Sequence, residues 1–280
     1  MERDFSDFKK CYLTTRDFFL SGESFDLLVD EELELLKTDP IPLNLSDYYK
    51  SDNYISHSDT GGGVFGVVYR WVKWWSIKRK ISLVKNFKKD GKLLDIGSGT
   101  GEFLLKAKKR GYQVKGIEPD AASRELAGKK GLEVTEQLDG IQEKFDVITM
   151  WHALEHIPDL KKTIEHLQQL LLPGGYLVVA VPNYKSYDAT YYGEFWAAFD
   201  VPRHIWHFSQ KSISELFKKH FELVKVKPLV FDSFYVSLLS EKYAEGKRFS
   251  LRGIWIGLKS NLRACGTGEY SSLIYILEKK

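Results

Sequence analysis

The chain is poor in cysteine, with two in 280 residues, Cys11 and Cys265. Thiols so far apart make neither a disulfide framework nor a closely spaced metal quartet, and they point to a reducing compartment, the cytoplasm. Long apolar runs are missing too. The opening "MERDFSDFKK" lacks the hydrophobic core of a signal peptide, and no segment reads as a membrane span. Charge of one sign is not in surplus: 41 Lys and Arg face 38 Asp and Glu, a net of +3, so no nucleic-acid partner is expected. Repeats and low-complexity tracts do not occur. What is present suits a globular protein with a sizeable core, 43% hydrophobic and 28% charged. Aromatics are abundant at 14%, and where they fall in polar, irregular segments they suggest a pocket for a flat or apolar ligand.

Residues 1 to about 60 look irregular and end in "TGGG", which makes 1–63 an N-terminal cap segment. A linking helix is expected over 64–90, because Val64, Val68, Trp71, Trp75, Ile81 and Val84 fall near one stripe. Arg70, Lys73, Lys78, Arg79 and Lys80 lie between them, as on a packing helix with extended basic side chains or a peripheral membrane contact. From Gly91 short apolar strands ("KLLDIG", "YQVKGIE", "LEVTE", "FDVITMW", "YLVVAVP") alternate with helical segments. That alternation predicts a Rossmann-like, doubly wound α/β domain over 91–280, a parallel sheet covered on both faces. Beyond it come a helix at "SQKSISELFKKH", a strand at "FELVKVKPLVF", helices near 234–246 and 250–263, and a strand at "SSLIYILEK".

The first strand runs into Asp95-Ile96-Gly97-Ser98-Gly99-Thr100-Gly101-Glu102. Glycines at this turn let backbone approach a nucleotide, and Glu118, closing the second strand, is placed to accept both ribose hydroxyls. The dinucleotide fingerprint fails at its last position, which is Glu102, and no Lys-Ser/Thr pair follows the glycines as a phosphate loop requires. Asp95 and Glu102 would repel a pyrophosphate. They would suit a cofactor bearing a sulfonium and an amino group.

The segments "LLDIGSGTGEFL", "GIEPD", "FDVITMWHALEHIPD" and "LLLPGGYLVVAVPN" resemble successive motifs of class I S-adenosylmethionine-dependent methyltransferases, over residues about 91 to 183. The nearest subgroup resembles the ubiquinone-biosynthesis O-methyltransferases. The resemblance implies seven strands, the last antiparallel. It implies that Asp95, Gly97 and Gly99, with Ser98 and Gly101 of the same loop, line the methionine and ribose side of S-adenosylmethionine. Glu118, followed by Pro119, would hold the ribose; Gln137 and Leu138 would lie near adenine. Met150 and Trp151, then His152, would close over the site. The implied activity is methyl transfer to a small-molecule acceptor, first at oxygen, with carbon or nitrogen as alternatives. An NAD-dependent oxidoreductase and an inactive S-adenosylmethionine-binding protein are the rivals. Acceptor, pathway and oligomeric state are not legible.

His152-x-x-Glu155-His156 would be a zinc-protease signature on a long helix. Pro158 follows two residues after His156, leaving room for about one turn, so no metal is expected. Glu155 and His156 then become candidates for orienting or deprotonating an acceptor, or for bracing the turn. The long segment 183–209 reads as an aromatic lid insertion in which Tyr191 and Trp196 would contact substrate. Within it His204 is a second candidate base and Arg203 a holder of substrate anions; the alternative is an aromatic mini-core held by an Asp200–Arg203 pair. Similar chains open with a paired-cysteine, zinc-ribbon-like segment. Here Cys11 stands alone, so a degenerate, metal-free cap is expected, with Tyr54 or His57 reaching the cleft.

Overall fold

The computed structural model describes residues 8–49, 64–246 and 250–280, so Tyr54 and His57 lie outside the described residues. The described part of the N-terminal stretch is not irregular. It forms an antiparallel meander of β1 (Lys10–Arg16), β2 (Ser24–Asp30) and β3 (Leu35–Asp39). The signal is the two-residue alternation of "SFDLLVD", which buries Phe25, Leu27 and Val29 on one face.

Helix α1 (Val64–Lys85) leads into the large sheet. In chain order follow β4 (Gly91–Ile96), α2 (Glu102–Lys108), β5 (Tyr112–Ile117), α3 (Ala121–Lys129), β6 (Val134–Thr135), β7 (Phe145–Trp151), α4 (Leu160–Leu170) and β8 (Leu171–Pro182). After β8 come α5 (Tyr187–Tyr192), β9 (Trp206–His207), α6 (Gln210–Phe217), β10 (Phe221–Pro228), α7 (Asp232–Glu245), α8 (Leu251–Thr267) and β11 (Ser272–Lys279). The seven strands are ordered β10-β11-β8-β7-β4-β5-β6. β4 to β8 run parallel, while β11 is antiparallel to both its neighbours. The expected fold is therefore present, with the last strand wedged inside the sheet. One boundary differs: α4 stops at Leu170 and β8 begins at Leu171, so Pro173, Gly174 and Gly175 are carried in the strand's irregular start.

Strands buried on both faces need two cores, and both exist. On one side Leu94, Ile148 and Leu177 meet Ile164 and Leu167 of α4 and Phe217 of α6. On the other Leu93, Val147 and Val178 meet Ile81 and Val84 of α1 and Leu104 of α2.

A third core joins the N-terminal meander to the aromatic insertion: Phe25, Leu27 and Leu36 pack with Tyr192, Trp196, Phe199 and Val201. β9 pairs with β3, aligning His207 with Leu36, and Thr38 Oγ1 donates to the His204 carbonyl at 2.7 Å. The insertion is a packed shelf, which is the mini-core alternative. Trp196 is 2% exposed, and its Nε1 donates to Asp188 Oδ2 at 2.8 Å, so its expected contact with substrate is replaced by a structural one. Arg203 is corrected likewise. Its guanidinium is buried and lies 2.8 Å from Asp17 Oδ1 and 2.7 Å from Asp200 Oδ1, leaving it committed to carboxylates of the protein itself. Burial pushes the Asp17 carboxyl up, but Arg203 and the Ser21 backbone amide outweigh it and hold the group below its usual range.

Candidate cofactor and acceptor site

The carboxyl ends of β4, β5 and β7 converge, as a crevice at a doubly wound sheet requires. After β4 the backbone amides of Gly97 and Ser98 both donate to the Ile117 carbonyl, at 2.8 and 2.9 Å. Gly97 sits at φ 74°, and a Cβ there would lie 2.8 Å from Ala153 Cβ, so only glycine lets this loop press against the one after β7. Gly99, at φ 52°, has no atom within 4 Å of where its Cβ would be; its face is open. Gly101 opens α2.

The Glu118 carboxylate accepts from the Gly99 amide at 2.7 Å on one oxygen and from the Asp120 amide at 3.0 Å on the other. Each oxygen keeps a lone pair for a ribose hydroxyl. Pro119 beside it is exposed. Ser98 Oγ and Trp151 Nε1 are buried and without hydrogen-bond partners. An open glycine face, a carboxylate with spare acceptor capacity and two orphaned polar atoms fit a nucleoside-bearing cofactor. Glu118→Ala is expected to weaken S-adenosylmethionine binding at least about tenfold, since two charge-assisted hydrogen bonds disappear. Isothermal titration measures it, and unchanged affinity would mean that the ribose is held elsewhere.

The charge around this loop differs from the sequence expectation. Glu102 lies 2.5 Å from Lys130 Nζ, so its charge is already paired. Asp95 is buried, accepts from Thr149 Oγ1 at 2.6 Å, and burial raises its carboxyl to about 7. Thr149 and the charge of Lys80 offset only part of that burial, so a further cation, such as an amino acid's ammonium, would favour the ionised form.

β7 delivers the next group. Met150 is fully buried in the main core, so its side chain is not available to close over a ligand. Trp151 meets Phe103 edge-on at 5.4 Å, and Lys80 Nζ lies 4.6 Å from its ring centre. His152 takes φ 55°, an uncommon conformation for a side-chain-bearing residue. Its Nε2 is 3.1 Å from Asp232 Oδ2, and its Nδ1 is 3.4 Å from Glu155 Oε1. Burial opposes its charge, but the two carboxylates prevail and carry it up to about 9. Gln137 is exposed after β6, and Leu138 packs against the main core.

Pro158 has the predicted effect: Leu154–His156 is a single 3₁₀ turn. His152 faces Asp232, so the paired helical histidines of a zinc protease are not formed. Glu155 is wholly buried, and neither of its oxygens has a hydrogen-bond partner. His156 Nδ1 lies 2.9 Å from the Arg203 carbonyl and 3.0 Å from the Tyr49 hydroxyl. A carbonyl can only accept, so Nδ1 carries the proton and Nε2 the lone pair. The same logic applies to His204, whose Nδ1 lies 2.9 Å from the Ala198 carbonyl. The two rings are 4.7 Å apart. Burial, then the neighbouring His204, lower His156 to about 4.

Glu155, His156 and His204 offer ligand atoms within 4.8 Å of one another, which makes them the set among the described residues able to hold a cation. The structure thus assembles the three residues chosen as catalytic candidates, two of them from segments about 50 positions apart. Tyr49, whose hydroxyl meets His156, is a site residue that the sequence reading does not single out. Tyr191 stands apart, its hydroxyl accepting from Arg252 Nε at 2.9 Å.

A family model described as "Methyltransferase domain" matches residues 75–226, more than half of the chain. An uncharacterized methyltransferase of Geobacillus kaustophilus is 36% identical over 35% of this chain and 49% of its own length. The ubiquinone biosynthesis O-methyltransferase of Pasteurella multocida is 33% identical over 33% of this chain and 46% of its own. The match thus spans about half the length of these curated relatives. Among solved structures, a Thermotoga maritima S-adenosylmethionine-dependent methyltransferase, titled a possible histamine N-methyltransferase, superposes with TM-score 0.50 at 20% identity, covering 76% of this chain and 96% of that one. A Mycobacterium tuberculosis cyclopropane synthase gives 0.52 at 16%, covering 72% and 84%. At such identities these two show a common fold alone. Taken with the strand order and the glycine loop, the family match means that the chain belongs to the class I S-adenosylmethionine-dependent methyltransferases, with S-adenosylmethionine as cofactor.

Proposed function

We propose that this protein methylates a hydroxyl oxygen of a small-molecule acceptor bound between the glycine loop and the shelf formed by residues 8–49 and 183–209. The observation that carries the reading is the buried Glu155 carboxylate beside two imidazoles whose Nδ1 atoms are tied to carbonyls, leaving two Nε2 lone pairs. When bound, S-adenosylmethionine supplies an electrophilic methyl group. The cluster supplies alignment and a place for the acceptor's proton. His156 accepts the hydroxyl hydrogen bond at Nε2, and His204 orients the same group from the side. A base held near 4 suffices, because the acceptor oxygen becomes a strong acid as its new bond to carbon forms. Glu155 stabilises the imidazolium that results; burial pushes its own carboxyl up, but His152, His204 and His156 together outweigh that and hold it low.

Transfer of radiolabelled methyl to a panel of phenols, alcohols, amines and carbon acids tests this. Label on oxygen is expected, and product on nitrogen or carbon alone would overturn the choice of oxygen. Because the same cluster can hold a cation, a second experiment separates the two uses. After chelation and desalting, turnover is expected to stay within about twofold of the untreated enzyme, since proton transfer needs no metal. A loss restored by a divalent cation would reassign the cluster as a metal site.

A further inference from the structure

Helices α7 and α8 form a hairpin whose sides are reversed. α8 buries Gly253, Ile256, Gly257, Ser260 and Ala264. Gly253 and Gly257 lie against Ser237 and Ser233 of α7, while Ser260 donates to Asp188 of α5 at 2.6 Å. The approach is close: a Cβ on Gly257 would lie 2.9 Å from Phe234 Cα. The large apolar side chains are on the outside. Leu251, Ile254, Trp255, Leu258 and Leu262, spaced three or four apart, form an exposed stripe in which Leu251, Trp255 and Leu262 are more than half exposed. The surface continues onto α1. Trp75 meets Phe231 edge-on at 5.0 Å, and Trp71 and Trp74 are again more than half exposed. The sequence predicts that the linking helix buries its apolar stripe; among the stripe residues whose side chains are described, Ile81 and Val84 near its end are buried while Trp71 is exposed.

Basic residues rim the patch. Lys78 lies over Trp74 at 5.2 Å and Arg79 over Trp75 at 4.5 Å, while Lys259 and Arg263, next in sequence to Leu258 and Leu262 of the α8 stripe, lie over Tyr187 at 5.1 and 4.4 Å. Neither α1 nor α8 contains an Asp or Glu, in a chain with 38 of them. Among the described residues no helix is long and apolar enough to cross a membrane. Tryptophan with adjacent cations, over an apolar stripe, is the chemistry of a bilayer interface bearing anionic headgroups.

We infer that the protein docks on the surface of an anionic lipid bilayer through the outer faces of α1 and α8. Docking sets the candidate site beside the lipid, because α7 begins with Asp232, the partner of His152, and α1 carries Lys80 over Trp151. An acceptor with an apolar tail could then enter without leaving the membrane; this last point rests on the proposed methyl transfer, whereas docking does not.

The test is co-sedimentation of the full chain with vesicles of phosphatidylcholine alone or mixed with phosphatidylglycerol, with S-adenosylmethionine affinity measured on every variant as a fold control. Binding is expected only to the mixed vesicles and should fall with added salt. Lys259→Gln with Arg263→Gln should weaken it about fivefold per lost charge. Trp255→Ser with Leu258→Ser should nearly abolish it while cofactor affinity stays unchanged. No sedimentation with either vesicle overturns the proposal, as does a stable dimer that the Trp255→Ser, Leu258→Ser pair converts to monomer with no vesicle binding. Because the readout is binding, a failed methyl-transfer assay leaves the docking result standing.

Discussion

Replacing Arg203 with methionine is expected to cost about 3–5 kcal/mol of stability, the usual consequence of removing one partner of a buried ion pair. Asp17, wholly buried at its side chain, would keep a carboxylate with no counter-charge. The Asp17 oxygens also receive the amides of Phe19 and Ser21, at 3.1 and 2.9 Å, so neutralising the group would loosen the turn after β1. Urea unfolding of wild type and variant measures the loss, and Asp17→Asn combined with Arg203→Met should recover part of it. Arg203→Lys should rescue only in part, because an ammonium can take the place of Nη2 between Asp17 and Asp200 but cannot also supply the second contact, from Nε to Asp200 at 3.0 Å. A loss below about 1 kcal/mol would place the joint between cap and insertion elsewhere.

His156→Ala is expected to lower kcat by about 10²–10⁴, the range for a positioned acid–base group, with S-adenosylmethionine affinity retained. Loss of cofactor binding instead would make the residue structural. The pH profile gives an independent check. His156, held at about 4, is neutral above that value, so the rate should fall as pH drops through 4. His152, raised from 6.5 to about 9, folds in its charged form. The stability it contributes is fully present below pH 6.5 and is lost as pH rises through 9. Thermal midpoints across that alkaline range should decline in wild type and be flatter in His152→Gln. A decline of equal steepness in both would remove His152 as its source.

The parallel sheet and the glycine loop were legible because both are local. Unbroken apolar strands announce burial on two faces, and Glu102 at the last position of the Gly97 fingerprint counts against a dinucleotide. The partner of Arg203 was not legible. Asp17 lies 186 positions away, and nothing in "FDVPRH" says whether its guanidinium meets a ligand or another carboxylate of the chain. The alternation of β2 was present but brief, between turn formers that mark loops. For α8 the helical period was readable while its direction was not: a stripe of large apolar residues looks the same facing a core or facing outward. Only the glycines opposite, tight against α7, settle which side is inside. The Glu155, His156 and His204 cluster depends on a 3₁₀ turn meeting the shelf, an encounter between two segments that no pattern in either foretells.

The position of β11 bears on how the protein is made. Its eight residues pair on one side with β8 and on the other with β10. Until Ser272–Lys279 leave the ribosome, β10 has no neighbour, and the apolar edge of β8 stays uncovered. A chain emerging slowly therefore waits for β11 to zip two halves of the sheet together. Stalling or proteolysis in that interval would strike at the middle of the structure.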